Sequence, residues 1–318
     1  MAEAPNSQGK SKSKAEQHHD PILAEEIEGT SEPHAPAKST TSKRTNACMF
    51  DKIPHNANNN SNDSVTELMA AKKPKPTPSP ASQPVKRGFD AREGLGVYIA
   101  HPEKNPEGLV VEYDSDFVVI RDKFPKASVH LLLIPRKEEY YTQHPLHLLS
   151  TNPAFLLEVK DRVTHLKHLA AAELRRKYGR DSASDSPYQQ ALDALMSSSS
   201  DPPPPSQRDA LLPPGRDWLS EIKVGVHTHP SMSHMHVHIL SCDMQSECMK
   251  HKKHYLSFNS SFFVGLEEFP LEEGSERFTP GDWPKWDMKC WRCGENYQSK
   301  FAKLKGHLGE EFETWRRE

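Results

Sequence analysis

The chain has 318 residues, of which 35% are apolar and 27 are proline, and its mean hydropathy is −0.78. That composition predicts that a substantial part cannot bury enough apolar surface to fold, although the length allows about two domains. No run approaches the ~18 apolar residues needed to cross a bilayer, and the first thirty residues lack the apolar centre of a secretory signal. A soluble intracellular protein with no membrane partner is expected. The formal net charge of −3 excludes little, because it averages over segments of opposite character. Five cysteines at 48, 242, 248, 290 and 293, an odd number without secretory features, favour metal ligation by a close pair over a disulfide framework.

Residues 1–86 contain one aromatic, Phe50, and ten prolines among Ser, Asn and Lys, and are predicted to be a disordered tail. Its basic clusters, Lys10 to Lys14 and Lys72 to Lys75, suit either nuclear import signals or plain solvated tail. From Phe89 the character changes. Runs at 109–113, 117–120 and 129–134, punctuated by Asp114-Ser-Asp116 and Phe124-Pro-Lys126, predict a strand meander. Apolar residues at 156, 159, 163, 166, 169 and 170 with Pro153 near the start predict a helix lying across that sheet. The Ser- and Pro-rich stretch 179–215 is expected to be a mobile loop insertion, with a transiently helical patch at 191–196. Two further strands are expected at 222–227 and 234–240, and a compact basic segment follows Trp283. There are no internal repeats. The fold class expected is α+β: an antiparallel sheet with helices over 87–280, plus a small C-terminal module over 281–318.

The most informative stretch is His227-Thr-His-Pro-Ser-Met-Ser-His-Met-His-Val-His-Ile-Leu240. Side chains alternate faces along a strand, so His234, His236 and His238 are expected on one face and Met235, Val237 and Ile239 on the other. A metal site and a chance His-rich strand are the alternatives. Three histidines spaced ~7 Å apart on one strand suit a single ion poorly, and no carboxylate or cysteine is interleaved. A neutral imidazole held in one tautomer is a good nucleophile toward phosphorus, given flanking groups that stabilise charge on the phosphoryl oxygens.

The pattern His-φ-His-φ-His-φ-φ resembles the histidine triad superfamily of nucleotide hydrolases and transferases. Three further segments narrow the resemblance: His227-x-x-Pro-Ser-Met-Ser-His234, Arg121-Asp-Lys-Phe-Pro-Lys126, and Lys252-Lys-His-Tyr-x-Ser-Phe-Asn259. With these the chain is similar to the aprataxin family over about residues 89–318. The resemblance implies a histidine-triad fold and a hydrolase that removes AMP from 5′-adenylated DNA ends through an AMP–histidine intermediate, in nuclear DNA single-strand break repair. It implies His236 as nucleophile, His238 and Ser231 at the phosphate, and His227 assisting at the leaving DNA phosphate. Lys126 would stabilise transition-state charge and, with Asp122, Ser231 and His238, bind the nucleotide. His234 is expected to support the strand, and His229 is expected at the surface without a role. Phe89, or a residue just after it, is a candidate wedge against the DNA end. Animal members carry an N-terminal phosphopeptide-binding domain, and residues 1–86 are too short and polar to form one.

Cys290-x2-Cys293-x13-His307-x3-Glu311 is a spacing that closes a tetrahedral zinc site, with two thiolates on a knuckle and two ligands one helical turn apart. A helix is expected over 298–311 with Phe301, Leu304 and Leu308 inward. Glu311 stands where most such fingers have a second histidine; Glu310 and water are the alternatives. A structural Zn2+ is expected. Lysines and arginines crowd 283–306, and Lys250-His-Lys-Lys-His254 adds a second basic patch. Lys252, Lys253, His254, Tyr255, Lys289 and Arg292 are therefore expected to contact DNA, neutralising phosphates without reading sequence. The expected species is a monomer that binds nicked or double-stranded ends and releases AMP. Competing readings are a hydrolase of small nucleotides, which needs neither finger nor basic patch, and a DNA-binding module without catalysis. Removal of a 3′-linked guanosine is compatible with the same chemistry.

Overall fold

A computed structural model describes residues 90–105, 107–198 and 203–318. The expected tail over 1–86, its basic clusters and Phe89 lie outside the described residues. The centre is a six-stranded antiparallel sheet: β1 Val110–Tyr113, β2 Phe117–Arg121, β3 His130–Pro135, β4 Ile222–His227, β5 Val237–Ser241 and β6 Phe263–Gly265. Its order is β1-β2-β3-β5-β4-β6, so β5 sits in the middle, between β3 and β4. The expected α+β architecture is the one the chain adopts.

Unbroken apolar runs such as Phe117-Val-Val-Ile120 arise because both faces of this sheet are covered. On one face Val118, Ile120, Leu132 and Ile134 meet Leu95, Tyr98 and Ile99 of and beside α1 (Gly96–Ala100). Two short helices, α2 (Glu138–Tyr141) and α3 (Pro145–Thr151), lead to the long α4 (Pro153–Tyr178), which covers the other face. α4 starts where the Asn152 carboxamide accepts the Phe155 amide at 3.0 Å and Pro153 takes the first turn. Its residues Leu156, Val159, Val163, Leu166, Ala170 and Leu174 recur every three or four positions and pack on Val119, Leu131, Leu133, Val224, Val226, Val237 and Ile239.

The loop expectation for 179–215 is corrected: the segment carries α5 (Ser186–Ser197) and α6 (Pro205–Leu211). Its anchor is Asp185, fully buried. That carboxylate accepts the Arg216 amide at 3.0 Å and the Gln189 carboxamide at 2.8 Å, and lies 3.2 Å from Arg175 Nε. A buried carboxylate is tolerable only when its lone pairs are taken in this way, and the contacts fix the start of α5. The helix spans the amphipathic patch at 191–196 and continues one residue beyond it.

Beyond α7 (Lys252–Leu256), the C-terminal segment forms a ribbon of β7 (Met288–Lys289) and β8 (Asn296–Gln298), then α8 (Phe301–Trp315). The helix expected over 298–311 thus starts later and runs further. Leu304 and Leu308 point inward, into a cluster with Trp283 and Met288 that also contains Leu240, Tyr255, Leu256 and Phe262 from the main body. A second contact closes the far end of α8. The Arg216 guanidinium lies 4.3 Å from the Trp218 ring and 4.9 Å from the Trp315 ring. It donates to the Trp315 carbonyl at 2.5 Å and to Glu221 at 2.8 Å. Replacing Arg216 with Met leaves the half-buried Glu221 without its cation and is expected to cost about 3 kcal/mol of global stability. Urea unfolding followed by tryptophan fluorescence reads that loss.

Candidate active site

Period-two alternation puts Ile120 and Asp122 of β2 and its end, His130 and Leu132 of β3, His236 and His238 leading into β5, and Gly225 and His227 of β4 on the same face of the sheet. The pairings Leu132↔His238 and Gly225↔His238 set their lateral order. Apart from Gly225, these residues line a cavity of about 650 Å3 together with Lys126 and Ser231. Apolar groups, Leu95, Tyr98 and Phe124, wall the β2 side, and His229, His254, Ser257, Phe258 and Phe262 wall the β4 side. His236 and His238, with ring centroids 4.8 Å apart, stand between the two walls.

The hydrogen bonds fix the tautomers. His236 Nδ1 lies 2.8 Å from the His234 carbonyl oxygen. A carbonyl can only accept, so Nδ1 carries the proton and the Nε2 lone pair is left free. The Lys126 amide donates to His130 Nδ1 at 3.2 Å, and His130 Nε2 lies 3.0 Å from His238 Nδ1. An amide can only donate, so His130 is protonated on Nε2, donates to His238 Nδ1, and leaves His238 protonated on Nε2. That last N–H is buried and has no partner among the described residues, a donor directed to whatever fills the cavity. His227 bonds the Ser257 backbone through one nitrogen, while its Nε2 is buried and has no partner among the described residues.

Burial depresses the pKa of His236, against the opposing pull of the His234 carbonyl and Asp122. Burial likewise sends His227 and His238 well below the ordinary histidine value and brings His130 down to about 4. All four imidazoles are therefore neutral at pH 7. Burial pushes the Asp122 carboxyl up, but His130, Lys126, the Phe124 amide and His236 outweigh it and hold it below its usual range. Lys126 is 5% exposed; desolvation lowers its pKa, and Asp122 opposes the shift. Its ammonium donates to the Phe124 carbonyl. The site thus offers the bare Nε2 of His236 in a cavity also lined by the His238 N–H donor, the Lys126 ammonium, the Ser231 hydroxyl and His227.

Sequence alternation misplaced some of these residues. His234 lies three residues ahead of β5; its ring faces Tyr141 at 5.2 Å and Glu93 at 3.6 Å and is not among those lining the cavity. His229, expected at the surface, is half-buried and lines the cavity, with its ring 6.4 Å from that of Phe262. His130 was missed altogether. Its signal was present: a histidine inside Val129-His-Leu-Leu-Leu-Ile134 breaks a run that is otherwise apolar on both faces. Asp122, His130 and His238 bring ligand atoms within 4.8 Å of one another, but both His130 nitrogens are engaged, one by the Lys126 amide and one by His238, which leaves His130 no lone pair for an ion.

On the β4 side, Lys252 and Lys253 begin α7, and Lys289 is exposed on β7. Lys252 Nζ lies 3.1 Å from Ser299 Oγ. Three residues expected at the DNA are engaged within the protein. Tyr255 is fully buried and its hydroxyl donates to the Lys289 carbonyl at 2.6 Å. Arg292 is committed to two carboxylates, Glu311 at 2.6 Å and Glu318. His254 is 2% exposed and opens to the cavity, its Nδ1 accepting the Lys250 amide.

Cys290, Cys293, His307 and Glu311 bring four ligand atoms within 4.8 Å of one another. Cys293 Sγ lies 3.2 Å from His307 Nε2, and Glu311 Oε1 lies 3.3 Å from the same nitrogen. Glu310 is exposed, so Glu311 is the carboxylate that converges. Two sulfurs, one imidazole and one carboxylate oxygen at this separation fit tetrahedral zinc in donor type and number. The tautomers deduced above are directly readable: long-range 15N–1H ring spectra at pH 7.5 are expected to show His236 protonated on Nδ1 and both His130 and His238 on Nε2. A His236 signal protonated on Nε2 would contradict the arrangement.

The known proteins the chain resembles agree with this geometry. Residues 259–314 match the C2HE / C2H2 / C2HC zinc-binding finger family, and residues 213–254 match the C-terminal binding family of the scavenger mRNA decapping enzyme. The chain is 34% identical to an aprataxin-like protein of Schizosaccharomyces pombe over 70% of its length and 82% of the relative's. It is 30% identical to an aprataxin-like protein of Saccharomyces cerevisiae over 70% of its length and 96% of the relative's. Among solved structures, the aprataxin ortholog Hnt3 in complex with DNA superposes with a TM-score of 0.54 at 33% identity, covering 70% of this chain and 96% of that one. Hnt3 in complex with DNA and guanosine gives a TM-score of 0.51 over the same shares of the two chains, again at 33% identity. With a tautomer-fixed imidazole at the centre of its cavity and relatives matched nearly end to end, this chain belongs to the aprataxin family.

Proposed function

We propose that the chain is a DNA 5′-adenylate hydrolase that clears AMP from abortive ligation intermediates in DNA single-strand break repair, with His236 as the nucleophile. The observation that carries the reading is the His236 Nδ1 bond to the His234 carbonyl, which leaves the lone pair of Nε2 available within the cavity. In the first half-reaction Nε2 attacks the AMP phosphorus, a P–N bond forms, and the bond to the DNA 5′-phosphate oxygen breaks with its electrons leaving on that phosphate. The His238 Nε2–H, the Lys126 ammonium and the Ser231 hydroxyl take the charge growing on the non-bridging oxygens. His227 attends the departing phosphate and then accepts a proton from the water that hydrolyses the P–N bond, restoring His236 and freeing AMP. Asp122 and the apolar β2 wall would hold the adenosine, and Lys252, Lys253 and Lys289 the DNA backbone on the other side. His254 would act at the cavity rather than along the duplex.

Cys290, Cys293, His307 and Glu311 would hold a structural Zn2+, which cross-links knuckle and helix and supplies no chemistry to the phosphoryl step. The enzyme would work as a monomer in the nucleus, where its substrate lies. The pairing of a triad-type cavity with a finger-borne basic face favours DNA ends over free dinucleotides.

Two outcomes test this reading. With 5′-adenylated nicked DNA carrying labelled AMP, the wild-type protein should acquire an acid-labile, base-stable label at position 236. His236→Asn should lose about a thousandfold or more in single-turnover rate; full activity in that variant removes His236 from the chemistry, and faster turnover of diadenosine substrates than of the nick favours a small-nucleotide hydrolase. The pH dependence is the second outcome. Protonation of Nε2 destroys the nucleophile, so the rate falls as pH drops through the His236 pKa. Burial depresses that pKa, and the acid limb of kcat/KM is expected below pH ~6.5, the ordinary histidine value.

A further inference from the structure

Arg292 lies inside the cysteine knuckle, Cys290-Trp-Arg-Cys293, and one arm of its guanidinium donates to Glu311 Oε2 at 2.6 Å. The opposite oxygen of the same carboxylate, Oε1, faces His307 Nε2 at 3.3 Å within the four-residue cluster. Glu311 is thus held by its two ends, one toward the ligands and one by an arginine that sequence alone had assigned to DNA. The side chains involved are largely enclosed: those of His307 and Glu311 are 17% exposed and that of Arg292 is 23% exposed.

Charge explains why such a partner is needed. Two thiolates balance a divalent ion, so a finger closed by two histidines is neutral. Closing it with a carboxylate adds one negative charge on a side chain that is mostly enclosed, with Cys293 at the exposed rim, and an uncompensated charge there is costly. A bare carboxylate can also swing to offer both oxygens to the metal. A guanidinium fork with one arm on Glu311 Oε2 and the other on Glu318 eases both difficulties, since it sets a positive charge beside the added negative one and leaves a single Glu311 oxygen for the ion. We propose that Arg292 is the positioning residue that makes glutamate workable as the fourth zinc ligand, an inference that rests on the zinc reading given above. Its function is then internal to the finger, and Glu311 and Arg292 form one unit.

The test is a cycle on the full chain, read as zinc affinity by competition with a chromophoric chelator at pH 7.5. Arg292→Gln should weaken zinc binding by about 10- to 100-fold, the usual effect of removing a partner of a metal ligand. In a Glu311→His background, where the site is neutral, the same substitution should change affinity by less than about threefold, because only the charge and the fork have become unnecessary. Arg292→Lys, which keeps the charge but loses the fork, should fall between wild type and Arg292→Gln and carries the comparison should the glutamine variant not fold. Unchanged affinity in Arg292→Gln overturns the proposal. So does an equal loss in both backgrounds, which would mean that Arg292 supports the finger without acting through Glu311. A wild-type chain that takes up no stoichiometric zinc refutes the zinc reading itself, an outcome visible before any variant is compared.

Discussion

The chemistry of this site depends on a single backbone carbonyl. Imidazole has two nitrogens of nearly equal basicity, and in water the proton moves freely between them. The His234 carbonyl, 2.8 Å from His236 Nδ1, decides which one is left bare. That carbonyl can be in place only because the chain bends ahead of β5 instead of continuing as a strand, with His234 drawn toward Tyr141 and Glu93. The first histidine of the triad therefore contributes its backbone where the other two contribute their rings. On the far side of His238 the same logic runs through His130 to the Lys126 amide, so donors and acceptors around the cavity are ordered by peptide groups whose roles cannot be exchanged.

Much of this was legible in the sequence, for reasons that differ from part to part. The strands were visible because a sheet covered on both faces needs apolar residues at every position, and the long helix because its contacts recur at 3.6-residue spacing. The shared face of His236 and His238 follows from the period of two. His130 escaped notice because its strand was taken as a plain apolar run, although a lone imidazole in such a run must find polar partners. The helix at Ser186–Ser197 was obscured by its Ser- and Pro-rich flanks, and its anchor, Asp185, meets Arg216 across a separation no local pattern reveals. Arg292 was grouped with the DNA contacts because sequence gives charge without its counter-charge. Pairing with Glu311 is a tertiary fact.

The cavity has a polarity that suits two unlike groups. Its β2 side sets Leu95, Tyr98 and Phe124 beside Asp122 and Lys126, while its β4 side carries His254 and Ser257 of and beside α7 with the rings of Phe258 and Phe262. Neutral histidines divide the two. Desolvation keeps these rings uncharged, so the positive charge available to a phosphate comes from Lys126 within and from the surface lysines without. A chain that is acidic overall can still carry local cationic groups, since net charge averages over the whole sequence.

The finger is usually pictured as an appendage, but here it has no outline of its own. Leu304 and Leu308 complete a cluster whose other members include Leu240 at the edge of β5 and Phe262 beside β6, and Trp315 caps the buried arginine at the opposite end of the helix. Cutting the chain near residue 280 would not release a free-standing catalytic half; it would strip those side chains of cover and leave an oily scar beside the histidines. The covering side chains of the C-terminal piece are thus part of the main core and not an addition to it.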